Sequence, residues 1–181
     1  MSSHRGTALD DAVLRAAVET AHGRDAPVFV HPNSVEDIRR AVAAGVDVIG
    51  HTTPSDDAWD AATIDAMRAA GVAVTPTLAL WKHQLRHDRR SIRESRLRRA
   101  TGQLRAWHDA GGEILFGTDL GAAEDDPTDE YVLMARSGMS FESILDALTQ
   151  TPARRFGGDR TGAIEPGAVP DLVVLDGDPA Q

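Results

Sequence analysis

The sequence predicts an α/β fold in which short parallel strands alternate with amphipathic helices. Three observations lead to this prediction: short runs rich in valine and isoleucine recur along the chain, a helix-period segment follows each of them, and glycines separate the two. Such alternation produces a parallel sheet with right-handed crossovers, either doubly wound or part of a barrel. With 181 residues, 41% of them hydrophobic, the chain can bury the core of one domain or slightly more.

The predicted elements follow one another in a regular order. A helix at residues 9–22 precedes four βα units, whose strands are predicted at residues 28–30, 46–49, 72–74 and 114–116. The helices of these units are predicted at residues 34–45, 58–70, 89–110 and around 131–134, with a further helix that Ser140 caps. Residues 78–87 show no readable period, and residues 172–175 read as one more strand outside the repeat.

Three of the repeat strands end in a side chain that can bind a metal or move a proton. His31, His51 and Asp119 each follow such a strand, with Pro32 directly behind the first and Gly117 shortly before the third. In a parallel sheet the carboxyl ends of the strands lie on one face, so these residues can converge. Taken singly, each histidine is more often structural and the aspartate more often caps a helix or closes a turn. Their joint pattern favours a functional site that binds a metal or moves a proton.

The chemistry of this set favours a divalent metal cofactor, zinc in the first place. The chain has no cysteine, so disulfides and thiolate metal sites are excluded and any metal must be held by imidazole and carboxylate groups. Zn²⁺ accepts such ligands, polarises carbonyl groups and lowers the pKa of bound water. Asp119 is then both a candidate ligand and the candidate general base for that water.

Six motifs along the chain carry a family resemblance through their order and spacing. They are residues 28–31 (VFVH), 46–51 (VDVIGH), 74–77 (VTPT), 115–121 (LFGTDLG), 151–154 (TPAR) and 162–176 (GAIEPGAVPDLVVLD). Together they resemble the carboxyl-terminal half of the amidohydrolase superfamily, nearest to its imidazolonepropionase-like and dipeptidase-like members. The resemblance implies half of a TIM-like (β/α)8 barrel with four βα units, followed by a terminal strand of the accessory β-sandwich.

The resemblance also assigns roles to individual residues. It implies that His31 and His51 are the metal-ligating histidines of barrel strands 5 and 6, and that Asp119 is the strand 8 aspartate, a metal ligand and proton shuttle. It places Thr77 and Trp81 near the substrate, on the loop after strand 7. The implied activity is hydrolysis of a C–N bond in an amide, cyclic amide or dipeptide-like small molecule by metal-activated water.

The chain also departs from the family pattern. Family members carry a His-x-His pair after strand 1 and many carry a lysine on strand 4, whereas this chain has no such pair and Lys82 is its only lysine. A complete barrel of this kind takes roughly 250 residues. We therefore expect a partial barrel at residues 1–158, a remnant of the β-sandwich domain at residues 159–181, and a chain that is a truncated family member.

A partial barrel has consequences for partners. Strands cut from a closed sheet leave unpaired edges and exposed apolar faces, so a homo-oligomer formed through these edges is expected. The net charge of −9 argues against a nucleic-acid or anionic-membrane partner. Because the amino terminus shows no apolar signal core and no apolar run reaches membrane-spanning length, a cytoplasmic location is expected.

Two other interpretations stay open at this point. The chain can be a catalytically empty half-barrel that only binds metal or self-associates, or a flavodoxin-like binding domain whose strand-end residues coincide by chance. The acidic residues 124–130 offer carboxylates for Ca²⁺, but they lack the alternation of an EF-hand loop, so we expect a solvated loop and helix amino terminus there.

Overall fold

The computed structural model describes residues 9–119, 126–157 and 160–178. The chain forms a four-stranded parallel sheet covered by helices, which confirms the predicted fold class. The strands lie close to the predicted positions, at β1 Phe29–Val30, β2 Val48–Gly50, β3 Ala73–Thr75 and β4 Glu113–Ile114.

The strands are ordered β1-β2-β3-β4 across the sheet, in the order of the sequence. The register pairs Val30 with Ile49, Ile49 with Val74, and Val74 with Ile114. A doubly wound sheet reverses its strand order at a switch point, whereas a barrel adds its strands in sequence. The flavodoxin-like interpretation is therefore wrong, and the sheet is a segment of a barrel wall.

Eight α-helices are present in the described part of the chain. They are α1 Asp11–His22, α2 Val35–Ala44, α3 Ala61–Ala69, α4 Leu78–Gln84, α5 Arg90–Asp109, α6 Thr128–Arg136, α7 Phe141–Leu148 and α8 Gln150–Phe156. Local chemistry sets their ends: the Ser34 hydroxyl accepts a hydrogen bond from the Asp37 amide, and Gly45 ends α2 in the left-handed conformation that glycine adopts without strain. None of the helices in the described ranges is long and apolar enough to span a membrane.

The two faces of the sheet are packed differently. Ile49, Val74 and Ile114 belong to the large cluster between the sheet and the helices, which also contains Leu104 and Trp107. The residues next to them on the strands point the other way, because side chains alternate along a strand. There Val48, Ala73 and Leu115 form a small separate cluster. The main core thus lies between sheet and helices, as in a barrel wall.

The amino ends of the strands are tied together by Arg155 of α8. Its guanidinium donates to the backbone carbonyls of Asp47 and Gly71, at 2.5 and 3.1 Å, and to Glu113 Oε1 at 2.9 Å. These three residues precede or begin β2, β3 and β4. We call this side of the sheet the amino edge. Arg155 thus links the amino ends of three neighbouring strands.

The predicted strand at residues 172–175 is a correction, because these residues form no strand in the structure. Val173 and Val174 are 86% and 92% exposed. Valine and leucine favour extended backbone, but a strand also needs a neighbour for its ladder of hydrogen bonds, and none lies beside these residues in the described chain. The division into domains at residues 158 and 159 stays a prediction.

Candidate functional site

The residues after the carboxyl ends of the strands form what we call the carboxyl edge. His31 follows β1, His51 follows β2, Thr77 follows β3 and Asp119 lies beyond β4. His51, Thr77 and Asp119 adopt left-handed backbone with φ of 75°, 46° and 56°. This region is uncommon for residues other than glycine and is a marked outlier for a β-branched threonine. Strained conformations of this kind concentrate at functional sites.

The two histidines of the carboxyl edge contact each other. The ring centroids of His31 and His51 are 4.5 Å apart with an interplanar angle of 71°, an edge-to-face arrangement. His51 is buried, with 9% of its surface exposed, whereas His31 is open to solvent. Parallel pairing of β1 and β2 therefore brings together two imidazoles that are 20 residues apart in the sequence.

Thr77 and Trp81 surround the buried face of His51. The Nδ1 atom of His51 lies 2.5 Å from the hydroxyl oxygen of Thr77, which is itself buried. The indole ring of Trp81 packs against the His51 ring at a centroid distance of 6.1 Å. Because one ring nitrogen is engaged by Thr77, the other nitrogen of His51 remains to face a ligand.

Burial keeps His51 neutral. Desolvation, followed by the nearby His31 ring, lowers the pKa of His51 to about 4, and the charge of Asp119 opposes this shift. Near pH 7 the imidazole therefore carries a lone pair, which is the form that binds metals. Asp119, which is exposed, is thus close enough for its charge to act on His51.

Small residues let the strand ends approach one another. A Cβ atom at Gly117 would lie 2.5 Å from Thr75 Cγ2, and one at Gly50 would lie 3.1 Å from the Val30 carbonyl oxygen. A side chain at Gly117 would therefore force Thr75 or the backbone after β4 to shift. Gly117 thus allows the close approach of the segment that leads to Asp119.

Gln103 of α5 holds the loop that follows His51. Its buried amide accepts from the Thr53 backbone N–H at 2.8 Å and donates to the carbonyl oxygens of Thr53 and Asp57 at 3.0 and 2.7 Å. Trp59 donates its indole N–H to the Thr53 hydroxyl at 3.1 Å. The sequence prediction missed Gln103. Gln103 lies at helical spacing from the apolar residues Ala100 and Trp107, and this spacing was the available signal that it is buried.

Glu130 of α6 is the second residue that the sequence prediction missed. It was grouped with the solvated acidic loop, but its side chain is fully buried, so that prediction was wrong for this residue. Burial raises the pKa of Glu130 to about 7. Hydrogen bonds from the Ala79 and Leu78 amides lower this pKa in part, and the charge of Asp129 raises it slightly. Its spacing to Leu133, Met134 and Ser137, all buried, is helical and was the available signal. Residues 124 and 125 of the acidic loop lie outside the described residues.

The donor chemistry of the carboxyl edge fits a divalent metal, although the set is incomplete. Two imidazoles in contact and one nearby carboxylate are the donor types that Zn²⁺ prefers when no thiolate is present. Within residues 9–119, 126–157 and 160–178, no three His, Cys, Asp or Glu side chains are arranged to hold a metal ion. The edge offers part of a binding site, to which further ligands would have to be added.

Comparisons with known proteins agree with the fold. The sequence model of the Amidohydrolase family matches residues 1–181. An uncharacterized protein of Mycobacterium tuberculosis (strain H37Rv) is 32% identical over an alignment that covers 94% of this chain and 47% of that protein. The chain therefore spans about half the length of the curated relatives it matches.

Two solved structures share the fold at 26% identity. A Xaa-Pro dipeptidase with methionine bound in its active site superposes with a TM-score of 0.82. The alignment covers 98% of this chain and 46% of the dipeptidase chain. A prolidase complexed with N-methylphosphonate-L-proline superposes with a TM-score of 0.80. The alignment covers 97% of this chain and 44% of the prolidase chain. Taken with the match of the family over the whole sequence, these similarities show that the chain belongs to the amidohydrolase family.

Proposed function

We propose that the chain is the part of a metal-dependent hydrolase that supplies two histidines and an aspartate to a site for cleaving C–N bonds. The observation that supports this proposal best is the contact between His31 and His51 at the carboxyl edge, with Asp119 near enough to influence His51. Family membership supports a hydrolase as the ancestral activity. The substrate is a small amide, with dipeptides the favoured class.

His31 and His51 would hold the metal, each through a neutral ring nitrogen. A divalent ion bound there would polarise the scissile carbonyl and lower the pKa of the attacking water. The Nδ1–H group of His51, donating to the Thr77 hydroxyl, would fix the ring and leave Nε2 for the ion. The exposed Asp119 would accept the proton of the water and pass it to the leaving nitrogen.

Dipeptides are favoured because two of the similar structures are dipeptidases. One of these proteins holds methionine in its active site, and the other holds a phosphonate analogue built on proline. Trp81 supports the same assignment, since its ring lies beside His51 and gives a small substrate an apolar wall.

The site needs ligands beyond those of this chain. No His-x-His pair occurs in the sequence, and the described residues do not enclose a metal on their own. We therefore propose that the remaining ligands come from the other half of a complete barrel. Zinc as the metal, a truncated origin of the chain and its cytoplasmic location are parts of this same proposal.

A second candidate function is a non-catalytic half-barrel that binds metal weakly or self-associates. It is favoured by the incomplete ligand set of the described residues and by the two outer strands, β1 and β4, each of which pairs with one neighbour in the described part of the chain. Unpaired strand edges are templates for pairing with another chain. A second copy would cover both edges.

Zinc titration and hydrolysis separate the two candidates. We expect the purified chain to bind Zn²⁺ weakly in isothermal calorimetry, and zinc-dependent hydrolysis of a Xaa-Pro dipeptide to appear when a half-barrel that carries the His-x-His pair is added, with both lost in His51→Ala. The control is His87→Ala, because His87 is an exposed residue beyond α4. Zinc binding without hydrolysis, even when that other half is present, favours the second candidate. Equal zinc affinity of the chain and of His51→Ala contradicts both metal-site proposals.

A further inference from the structure

We propose that Glu130 is a positioning residue: from α6 its carboxylate caps the first turn of α4, and this leaves the Thr77 hydroxyl free to orient His51. The inference deepens the proposed function, because it assigns a supporting residue to the same site. It concerns the chain in its metal-free form and can be tested there.

The first step concerns the capping position that Thr77 occupies. Thr77 is the N-cap residue of α4 (Leu78–Gln84), a place where a threonine hydroxyl ordinarily accepts a hydrogen bond from an amide of the first turn. Thr77 makes no such side-chain bond. Its hydroxyl lies instead 2.5 Å from His51 Nδ1. The helix therefore begins with its natural capping group engaged elsewhere.

The second step identifies the substitute cap. The Ala79 backbone amide donates to Glu130 Oε2 at 2.6 Å, and the Leu78 amide also stabilises the charged carboxylate. These are amides of the first turn, which have no partner inside the helix. Glu130 reaches them from a helix more than 50 residues later in the sequence. The first turn of α4 is therefore capped by a side chain that is distant in the sequence instead of by its N-cap residue.

The third step is the burial of this carboxylate. Glu130 is 0% exposed, and its other oxygen, Oε1, has no hydrogen-bond partner among the described residues. A glutamate placed for stability alone would be paired on both oxygens or replaced by an apolar residue, since burial of a charged group is costly. The position instead keeps an acceptor directed at the start of α4.

The fourth step connects the cap to the site. Thr77 and Trp81, both of which contact His51, lie at the start of α4 and one turn further on. Fixing the first turn therefore fixes both neighbours of the His51 ring. The left-handed backbone of Thr77 would otherwise relax, because this conformation is unfavourable for a β-branched residue.

Two conservative variants separate geometry from charge at this position. Glu130→Gln keeps the length and one oxygen acceptor but removes the charge, whereas Glu130→Asp keeps the charge but withdraws the acceptor by one methylene. The measurement is the pair of ¹⁵N shifts of the His51 ring in the metal-free chain, assigned by comparison with His51→Gln. A ring held by Thr77 shows one protonated and one unprotonated nitrogen.

We expect Glu130→Gln to retain the two separate shifts of the parent chain, and Glu130→Asp to move them toward the average of a ring that exchanges tautomers. Thr77→Val, which removes the hydroxyl, should give the same averaged shifts as Glu130→Asp. Asp129→Asn is the matched control, because it breaks an exposed ion pair with Lys82 between the same two helices. It should leave the shifts unchanged.

Unaltered His51 shifts in a folded Glu130→Asp chain would overturn the inference, as would equal shift changes in the aspartate and glutamine variants. If Glu130→Asp does not fold, averaged shifts in Glu130→Gln contradict the inference and retained shifts support it. Because none of these readouts uses metal or substrate, the positioning role can stand even if the chain hydrolyses nothing.

Discussion

At the amino edge of the sheet a charged side chain bonds to two backbone carbonyls and a carboxylate, whereas at the carboxyl edge polar groups are buried, strained and only partly paired. Arg155 joins three strand starts in one network. Across the sheet, His51 and Thr77 have left-handed backbone, and one oxygen of Glu130 has no partner within the described ranges. The two edges of the same four strands thus differ, and the carboxyl edge is the one at which parallel α/β folds in general carry their active sites.

The largest difference between the edges is expected in their response to pH. The pKa of Glu130 is raised from its ordinary value of 4.5 to about 7, first of all by burial. The folded chain therefore holds this proton more tightly than the unfolded chain. The corresponding stability is fully present below pH 4.5 and is lost as the pH rises through about 7, an effect of roughly 3 kcal/mol.

Glu130→Gln should remove this pH dependence. We expect the difference in unfolding free energy between the parent chain and the variant, measured by urea denaturation from pH 4.5 to 8, to change by roughly 3 kcal/mol over this window. A flat difference would show that Glu130 keeps an ordinary pKa and that the carboxyl edge is less strained than the structure indicates.

A somewhat smaller effect is expected from breaking the amino edge. Arg155→Ala removes hydrogen bonds from a cation to two carbonyl groups, so we expect it to lower the free energy of unfolding by about 2–3 kcal/mol, measured by chemical denaturation. Arg154→Ala is the matched control, because among the described residues that exposed neighbour bonds only within its own helix, to Thr151 at 3.3 Å. The His51 ring shifts should stay as they are in both variants.

Thr77→Val is expected to lower metal affinity strongly and stability only a little. Valine keeps the shape and β-branching of threonine, so the backbone strain is the same for both residues. The loss of one buried hydrogen bond should lower the free energy of unfolding by about 1 kcal/mol. Removing the partner of a metal-binding histidine lowers metal affinity about 10- to 100-fold. Calorimetric zinc titration beside chemical denaturation tests both parts. A stable variant with unchanged affinity would leave Thr77 without a role at the site.

The smallest effect on stability is expected for Asp119→Asn. Asparagine tolerates left-handed backbone as aspartate does, and the side chain is exposed, so the free energy of unfolding should change by less than about 0.5 kcal/mol. Zinc-dependent hydrolysis by the barrel completed with its other half should nevertheless disappear, because an amide cannot accept the proton of the water. Retained hydrolysis would remove Asp119 from the proposed mechanism.

The regular parts of the fold were predictable because their signals are local. Ser34 and Gly45 mark the ends of α2 within the segment itself, and the valine-rich runs announce β2 and β3. The strand boundaries moved by one or two residues, since cross-strand hydrogen bonds, rather than side chains, decide where pairing begins. Parallel pairing then made the convergence of His31 and His51 predictable.

Helix α4 was not predictable for a physical reason. Leu78, Ala79 and Leu80 are buried one after another, so they show no helical period, and the cap comes from Glu130 in another part of the chain. The left-handed conformation of Thr77 and its bond to His51 depend on that same arrangement. The sequence could indicate which residues meet at the carboxyl edge but not how they are held there.

The Arg155 network also bears on how the chain is made. Arg155 bonds to carbonyl groups that lie 108 and 84 residues earlier in the sequence. At a synthesis rate of about 5–20 residues per second, the amino edge stays unfastened for on the order of ten seconds after β2 and β3 leave the ribosome. In that interval the half-formed sheet presents open strand edges, and nascent chains on neighbouring ribosomes can pair through them before α8 closes the network.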